Sequence, residues 1–366
     1  LELVGCHVAG EPRALAGRRS VTYRGGNEIV RNAATVGSPD VSLLTNVFDE
    51  LPSSAELGRW EWPYLLYETM RGCPYQCSYC MYGKIRSNRK DVATVVDELT
   101  AILNRGLTVQ FIDPTFTTYA KRAKEIFRGL GGRVYDGGMY FEAYPDSLDE
   151  EMVELMRALP IRTVALGFQT LSAEGLKAVA RPKNLPKFER AVTLLRAAGI
   201  QFYVDVIYGL PQTTAGDFLA TMDYLHEHGA TEILVYRLLG LPGSPMMDDI
   251  DRYGLVFTST PPYELLSSNT FSLEDIHFCE TFNKTYCDLR DRMGDELLRR
   301  FSRMAGKLSN LVELVLRSGA LDQPDAAKHL TGILAGLMRK DAVESDALSP
   351  QLPPGARSPL RFSVEG

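Results

Sequence analysis

The 366-residue sequence holds no apolar stretch longer than about five to seven residues. A membrane-crossing helix needs roughly 20, so no such helix is expected. Its first residues, Leu-Glu-Leu-Val-Gly-Cys-His, lack a basic segment followed by an apolar core, so no secretory leader is read there. The chain carries no initiator Met. Basic residues form no stripe, and with 40 Lys and Arg against 46 Asp and Glu the net charge is −6. That argues against nucleic acid as a partner. Histidine is scarce, five in all, and cysteine numbers six. A disulfide framework does not suit a chain of this size with half its cysteines crowded into one turn. A closed zinc site wants four ligands, and the histidines nearest that turn in sequence, His7 and His226, are remote. Free thiols fit a reducing, cytoplasmic setting.

What the chain does have is the octapeptide Cys73-Pro-Tyr-Gln-Cys77-Ser-Tyr-Cys80. Three thiols can hold three irons of a [4Fe–4S] cube and leave the fourth iron open to a reactant. An open metal position separates a reactive site from a closed structural one. The spacing C-x3-C-x2-C, with an aromatic before the last Cys, resembles the cluster loop of the radical S-adenosylmethionine (SAM) superfamily. In that family the open iron is chelated by SAM, and one electron cleaves SAM to methionine and a 5′-deoxyadenosyl radical.

The organisation of the chain agrees. From about Pro63, short apolar runs alternate with amphipathic stretches. Strands are predicted at Tyr64–Glu68, Thr108–Ile112, Met139–Ala143, Thr163–Phe168, Phe202–Tyr208 and Glu232–Leu238. Helices are predicted at Val92–Asn104, Tyr119–Leu130, Glu150–Ala158, Lys187–Ala198 and Thr214–His228, with stops at Gly106, Gly199 and Gly229. Strands 20–40 residues apart suit right-handed βα units. Six of them predict an α/β fold, a partial (β/α)6 TIM barrel, with sites at the C-terminal ends of the strands. Four segments are expected: an N-terminal extension or linker over 1–62, with a strand at Ser20–Arg24; the barrel over 63–270; a C-terminal helical extension over 271–348; and a loose Pro- and Ser-rich tail over 349–366.

The resemblance assigns further roles. Cys73, Cys77 and Cys80 would bind the cluster, and Tyr79 would lie against the adenine of SAM. Asp113-Pro114-Thr115 stands where the family often has Gly-Gly-Glu, which binds the SAM amino group. The phrase Phe111-Ile-Asp-Pro-Thr-Phe116 resembles the cobalamin-associated branch. Glu142 would reach a ribose or substrate hydroxyl. Gln169 and Arg181 would meet the SAM ribose and carboxylate, since the planar guanidinium can bind both carboxylate oxygens. Ile207 and Gly209, in Asp205-Val-Ile-Tyr-Gly-Leu-Pro211, match an adenine-binding stretch, with Gly209 letting the backbone approach closely. Asp205 itself is read as a structural strand-end acid. Lys84, Arg86, Arg89 and Lys90 form either an anion-attracting or a solvated basic turn. Cys279 and Cys287 read as packed thiols.

The resemblance also implies SAM and a [4Fe–4S] cluster as cofactors, a flavodoxin- or ferredoxin-type electron donor, and a small-molecule or peptide substrate, here expected to be a natural-product precursor. Members of the cobalamin branch carry a B12-binding domain before the barrel. Only 72 residues precede Cys73, short of the roughly 100 such a domain needs. Ser20–Asn32 resembles the linker that follows that domain. Either the domain was lost or the chain begins after it, and a cobalamin-dependent C-methyltransferase stays an alternative to cobalamin-free hydrogen abstraction. A non-catalytic scaffold that kept the fold is the third possibility.

Overall fold

A computed structural model describes residues 22–25, 28–32, 64–85, 87–230, 232–323 and 325–348. Cys6, His7, Arg86, most of the N-terminal extension and the 349–366 tail lie outside the described residues. The first described elements are an antiparallel hairpin of β1 (Thr22–Gly25) and β2 (Glu28–Arg31). Strand β3 (Leu65–Tyr67) opens the main sheet. A small antiparallel pair, β4 (Met70–Arg71) and β5 (Asn88–Arg89), brackets the cysteine loop.

Regular alternation follows. Helix α1 (Val92–Asn104) leads to β6 (Thr108–Phe111), α2 (Ala120–Leu130) to β7 (Gly138–Ala143), and α3 (Glu150–Arg157) to β8 (Ile161–Gln169). Helices α4 (Ala173–Ala178) and α5 (Leu185–Ala197) lead to β9 (Phe202–Tyr208), and α6 (Ala215–Glu227) to β10 (Ile233–Arg237). The six strands pair in parallel in the order β10-β9-β8-β7-β6-β3. Among the described residues β3 and β10 form the two edges of this sheet, so the barrel is open, as the six-unit pattern predicts.

The sequence makes these choices locally. Strand β9 alternates strictly, with Phe202, Val204, Val206 and Tyr208 buried and Tyr203, Asp205 and Ile207 less so, the period of a strand with two unlike faces. The buried set packs under the helices. Helix α3 starts where Asp149 accepts from the Met152 amide, and α6 where Thr214 and Asp217 form a capping box. The three expected stops, Gly106, Gly199 and Gly229, all adopt positive φ. Behind the sheet, Phe111, Phe116, Phe127 and Phe141 interlock with ring centroids 4.8–5.9 Å apart.

Beyond β10 come the short helix α7 (Ile250–Tyr253) and the pair β11 (Val256–Phe257) and β12 (Leu265–Ser267). Three helices follow: α8 (Leu273–Met304), interrupted at Gly294, then α9 (Leu308–Ser318) and α10 (Ala326–Leu348). Helix α8 buries Ile276, Cys279, Phe282, Tyr286 and Leu289 along one stripe. Cys279 is a core thiol, pushed up to about 12 by burial. His226 lies in the last turn of α6. It is buried, and burial followed by Arg299 pushes it down to about 4, so it packs as a neutral ring. Among the described residues no helix is long and apolar enough to cross a membrane.

Candidate active site

The cysteine loop leaves the sheet at the C-terminal end of β3. Its backbone is tied on several sides. The Cys73 amide donates to the Tyr82 carbonyl at 3.3 Å, Ser78 to Val179 at 2.9 Å, Cys80 to Cys77 at 3.0 Å, and Met246 to Ser78 at 2.9 Å. The three thiols line one cavity of about 670 Å³, counted to its open mouth.

Pro114 and Thr115 after β6, Glu142 on β7, Gln169 at the end of β8, Arg181 after α4, and Tyr79 within the loop line the same cavity. Thus the structure gathers nine of the residues singled out in the sequence around one space. Asp113, Ile207 and Gly209 are not among the lining residues, and each has a physical reason. The Asp113 carboxylate is 1% exposed and accepts from the Thr69 amide at 2.7 Å, the Thr69 hydroxyl at 2.5 Å and the Met70 amide at 3.3 Å. Burial, opposed by these bonds, pushes it up to about 6. It fastens the turn ahead of the loop. Gly209 has φ +80°, and a Cβ there would lie 2.5 Å from Leu265 Cδ2. Its freedom serves the turn after β9 and its packing on β12. Ile207 packs against the core.

The basic turn divides too. Lys90 is buried and pairs with Glu98 at 2.7 Å, Glu98 also accepts from the Tyr67 hydroxyl at 2.5 Å, and Arg89 sits over the Tyr119 ring at 4.1 Å. Neither base faces the cavity. The Lys84 side chain lies outside the described residues.

Asp205, read from the sequence as structural, lines the cavity beside Glu142. Its Oδ1 is buried with no partner. Desolvation pushes it up to about 7, with Arg181 opposing. Glu142 is pushed up to about 7 by desolvation and then by Asp205, again with Arg181 opposing. More than a third of Glu142 is reachable by solvent through the open barrel, so its charge is partly screened. Tyr75 and Tyr144, stacked at 4.4 Å, complete the wall near the thiols.

Gln169 is built into place by strain. The β8–β9 register slips between Gly167 and Gln169, and Gln169 adopts φ 63°. Left-handed backbone at a non-glycine residue beside a cavity is a mark of function. The side chain is 7% exposed and its Oε1 has no partner. Ala180, just before Arg181, is also left-handed at φ 52°.

The donor set fits a cluster with an open position. Among the described residues, no three His, Cys, Asp or Glu side chains converge as ligands of one metal ion. A cube needs no such convergence, because each thiolate binds a different iron. Burial raises the Cys73 and Cys80 thiols, and the neighbouring thiols add to it; a bound metal reverses that balance. The unpartnered Gln169 and Asp205 oxygens and the buried, unpartnered Thr115 hydroxyl, all on residues that line the cavity, are available to a polar ligand.

Residues 67–225 match the model of the radical SAM superfamily. Over that stretch the chain is similar to the radical SAM superfamily. It is 28% identical over 198 residues to the hopanoid C-2 methylase of Rhodopseudomonas palustris, covering 50% of this chain and 37% of the relative. It is 29% identical over 230 residues to a tRNA-2-methylthio-N(6)-dimethylallyladenosine synthase of Nitratidesulfovibrio vulgaris, covering 57% and 51%. The chain thus spans about half the length, or less, of these curated relatives. Among solved structures, the cobalamin-dependent SAM radical enzyme OxsB with aqua-cobalamin superposes with a TM-score of 0.60 at 14% identity, over 94% of this chain and 58% of that one. The radical SAM methyltransferase TsrM from Kitasatospora setae, with tryptophan and a SAM analogue, gives 0.59 at 21% over 72% and 55%. The fold is the one these enzymes share.

Proposed function

We propose that the chain is a radical SAM enzyme that acts on an organic substrate, with Cys73, Cys77 and Cys80 as cluster ligands. The observation that carries this reading is one cavity shared by three thiols, a strained Gln169, Arg181 and the Glu142–Asp205 acid pair. A cluster held by Cys73, Cys77 and Cys80 would supply one electron for reductive cleavage of SAM. The residues of this chain do the rest. Gln169 Oε1 and the acid pair accept hydrogen bonds from ribose hydroxyls. Arg181 faces the methionyl carboxylate, and the backbone of Pro114 and Thr115 takes the ammonium. Tyr75, Tyr79 and Tyr144 exclude water around the thiols.

The substrate belongs in the open barrel. Leu66 on β3 and Tyr236 on β10 flank its opening on the face away from the core and are 56% and 50% exposed. An apolar rim of this kind suits a small organic molecule or a peptide side chain, in keeping with a natural-product precursor. A flavodoxin- or ferredoxin-type donor in the cytoplasm is the fitting electron source.

A second reading is a cobalamin-dependent C-methyltransferase. It is favoured by Phe111-Ile-Asp-Pro-Thr-Phe116 and by 28% identity to a methylase. Anaerobic incubation with SAM and dithionite separates the cases. Wild type is expected to release 5′-deoxyadenosine, and Cys77→Ala to release none. Release that persists in Cys77→Ala would sink the proposal. Equal S-adenosylhomocysteine alongside, dependent on added cobalamin, would select the methyltransferase.

A further inference from the structure

Arg181 touches more than the open part of the cavity. Its Nη1 lies 3.7 Å from Cys77 Sγ and 3.4 Å from the Tyr79 hydroxyl, while Nη2 donates to the Gly167 carbonyl at 2.8 Å. Cys77 is the most buried of the three thiols, at 5% exposure. The guanidinium is fixed from both sides. Its own amide donates to the Leu176 carbonyl at 2.9 Å, following the left-handed Ala180. Gly167 leaves the slot it occupies: a Cβ there would stand 2.8 Å from Nη2.

A fixed cation beside a cluster-ligating sulfur acts on the electron. Reduction adds one negative charge, which a neighbouring positive charge stabilises more than it stabilises the oxidised form, and the buried setting weakens solvent screening. Hydrogen bonds to the sulfurs and local charge are among the levers that set iron–sulfur potentials. We propose that Arg181 tunes the reduction potential of the cluster through Cys77, holding it high enough for the donor to reduce it. This is a positioning role distinct from contact with SAM, and it rests on the reading of Cys77 as a cluster ligand.

The test is an EPR-monitored redox titration of the reconstituted full chain without SAM. In R181Q, the reduced fraction at a fixed potential is expected to fall tenfold or more, a downward shift of at least 59 mV for a one-electron couple. R181K, which keeps the charge, is expected to stay within threefold of wild type. An unchanged potential in R181Q overturns the inference, as does a fall in R181K as large as in R181Q. Should R181Q not fold, R181M takes its place. If both neutral variants fail to retain iron while R181K retains it, Arg181 serves assembly and the tuning role is lost. A wild-type protein that takes up no cluster would instead remove the proposed function itself.

Discussion

At the scale of single residues, the acid pair is the most informative feature. Glu142 and Asp205 line one cavity with Arg181, and desolvation raises both to about 7 while Arg181 opposes it. Their folded values exceed those of the unfolded chain, so between about pH 4 and pH 7 the folded state holds the extra protons. Stability from this source is therefore greatest at low pH and declines as pH rises through that window. Denaturant midpoints from pH 4 to 8 are expected to show this decline in the ligand-free wild type, and D205N is expected to flatten it. An identical slope in D205N would mean that Asp205 does not carry the extra proton. The placement of Asp205 was legible after all. The strict alternation of β9 sends it to the same face as Tyr203 and Ile207, the interior of the barrel. Reading it as a structural acid weighed its position at a strand end over its parity. Asp113 shows the opposite case. Its carboxylate fastens a turn that joins residues 44 positions apart, a pairing that no local pattern reveals.

At the scale of elements, the cysteine loop is held by a buried polar frame. Asp113 binds Thr69 and Met70, Arg122 donates to the Thr69 and Lys90 carbonyls at 3.2 and 2.9 Å, and Lys90 and Tyr67 converge on Glu98. Removing the Asp113 charge leaves its donors short of an acceptor. D113N is expected to lose about 1.5–3 kcal/mol of stability by denaturant unfolding, and to retain less iron after gel filtration. A variant with unchanged midpoint would show that the frame does not bear on the loop. G209A is expected to destabilise by a comparable amount without altering SAM affinity, because its Cβ meets Leu265 rather than the cavity. Tighter or weaker SAM binding in G209A, by equilibrium dialysis, would contradict that placement. The main strands and helices were readable because each repeats one period over several residues. Helix α4 and the pairs β4–β5 and β11–β12 were not, since elements of two to six residues carry too few positions to show a period. Their geometry comes from what they pack on: α4 turns Arg181 toward the thiols, and β12 meets Gly209.

At the scale of the whole molecule, six parallel strands leave the barrel open between β3 and β10, and the helices α8 to α10 extend the fold beyond it. The likeness to OxsB reaches across 94% of the chain, so the extension belongs to the shared fold as well as the barrel. The cysteine spacing and the order of strand-end motifs carried this much. The substrate was not legible, because the residues that would meet it come from separated strands and the C-terminal region. Ligand binding is expected to stabilise the whole fold, by roughly 2.7 kcal/mol when SAM stands at a hundred times its Kd. Thermal unfolding of cluster-loaded protein with and without SAM checks this. No shift would argue against the cavity as its site.

The central claim is that three thiols in one cavity hold an open cluster. Anaerobic reconstitution followed by iron and sulfide analysis of the wild type and of Cys73→Ala, Cys77→Ala and Cys80→Ala tests it most directly. About four irons and four sulfides per wild-type chain, with loss in each variant, is the predicted result. Zinc or a single iron in the wild type, or full clusters in any alanine variant, would contradict it.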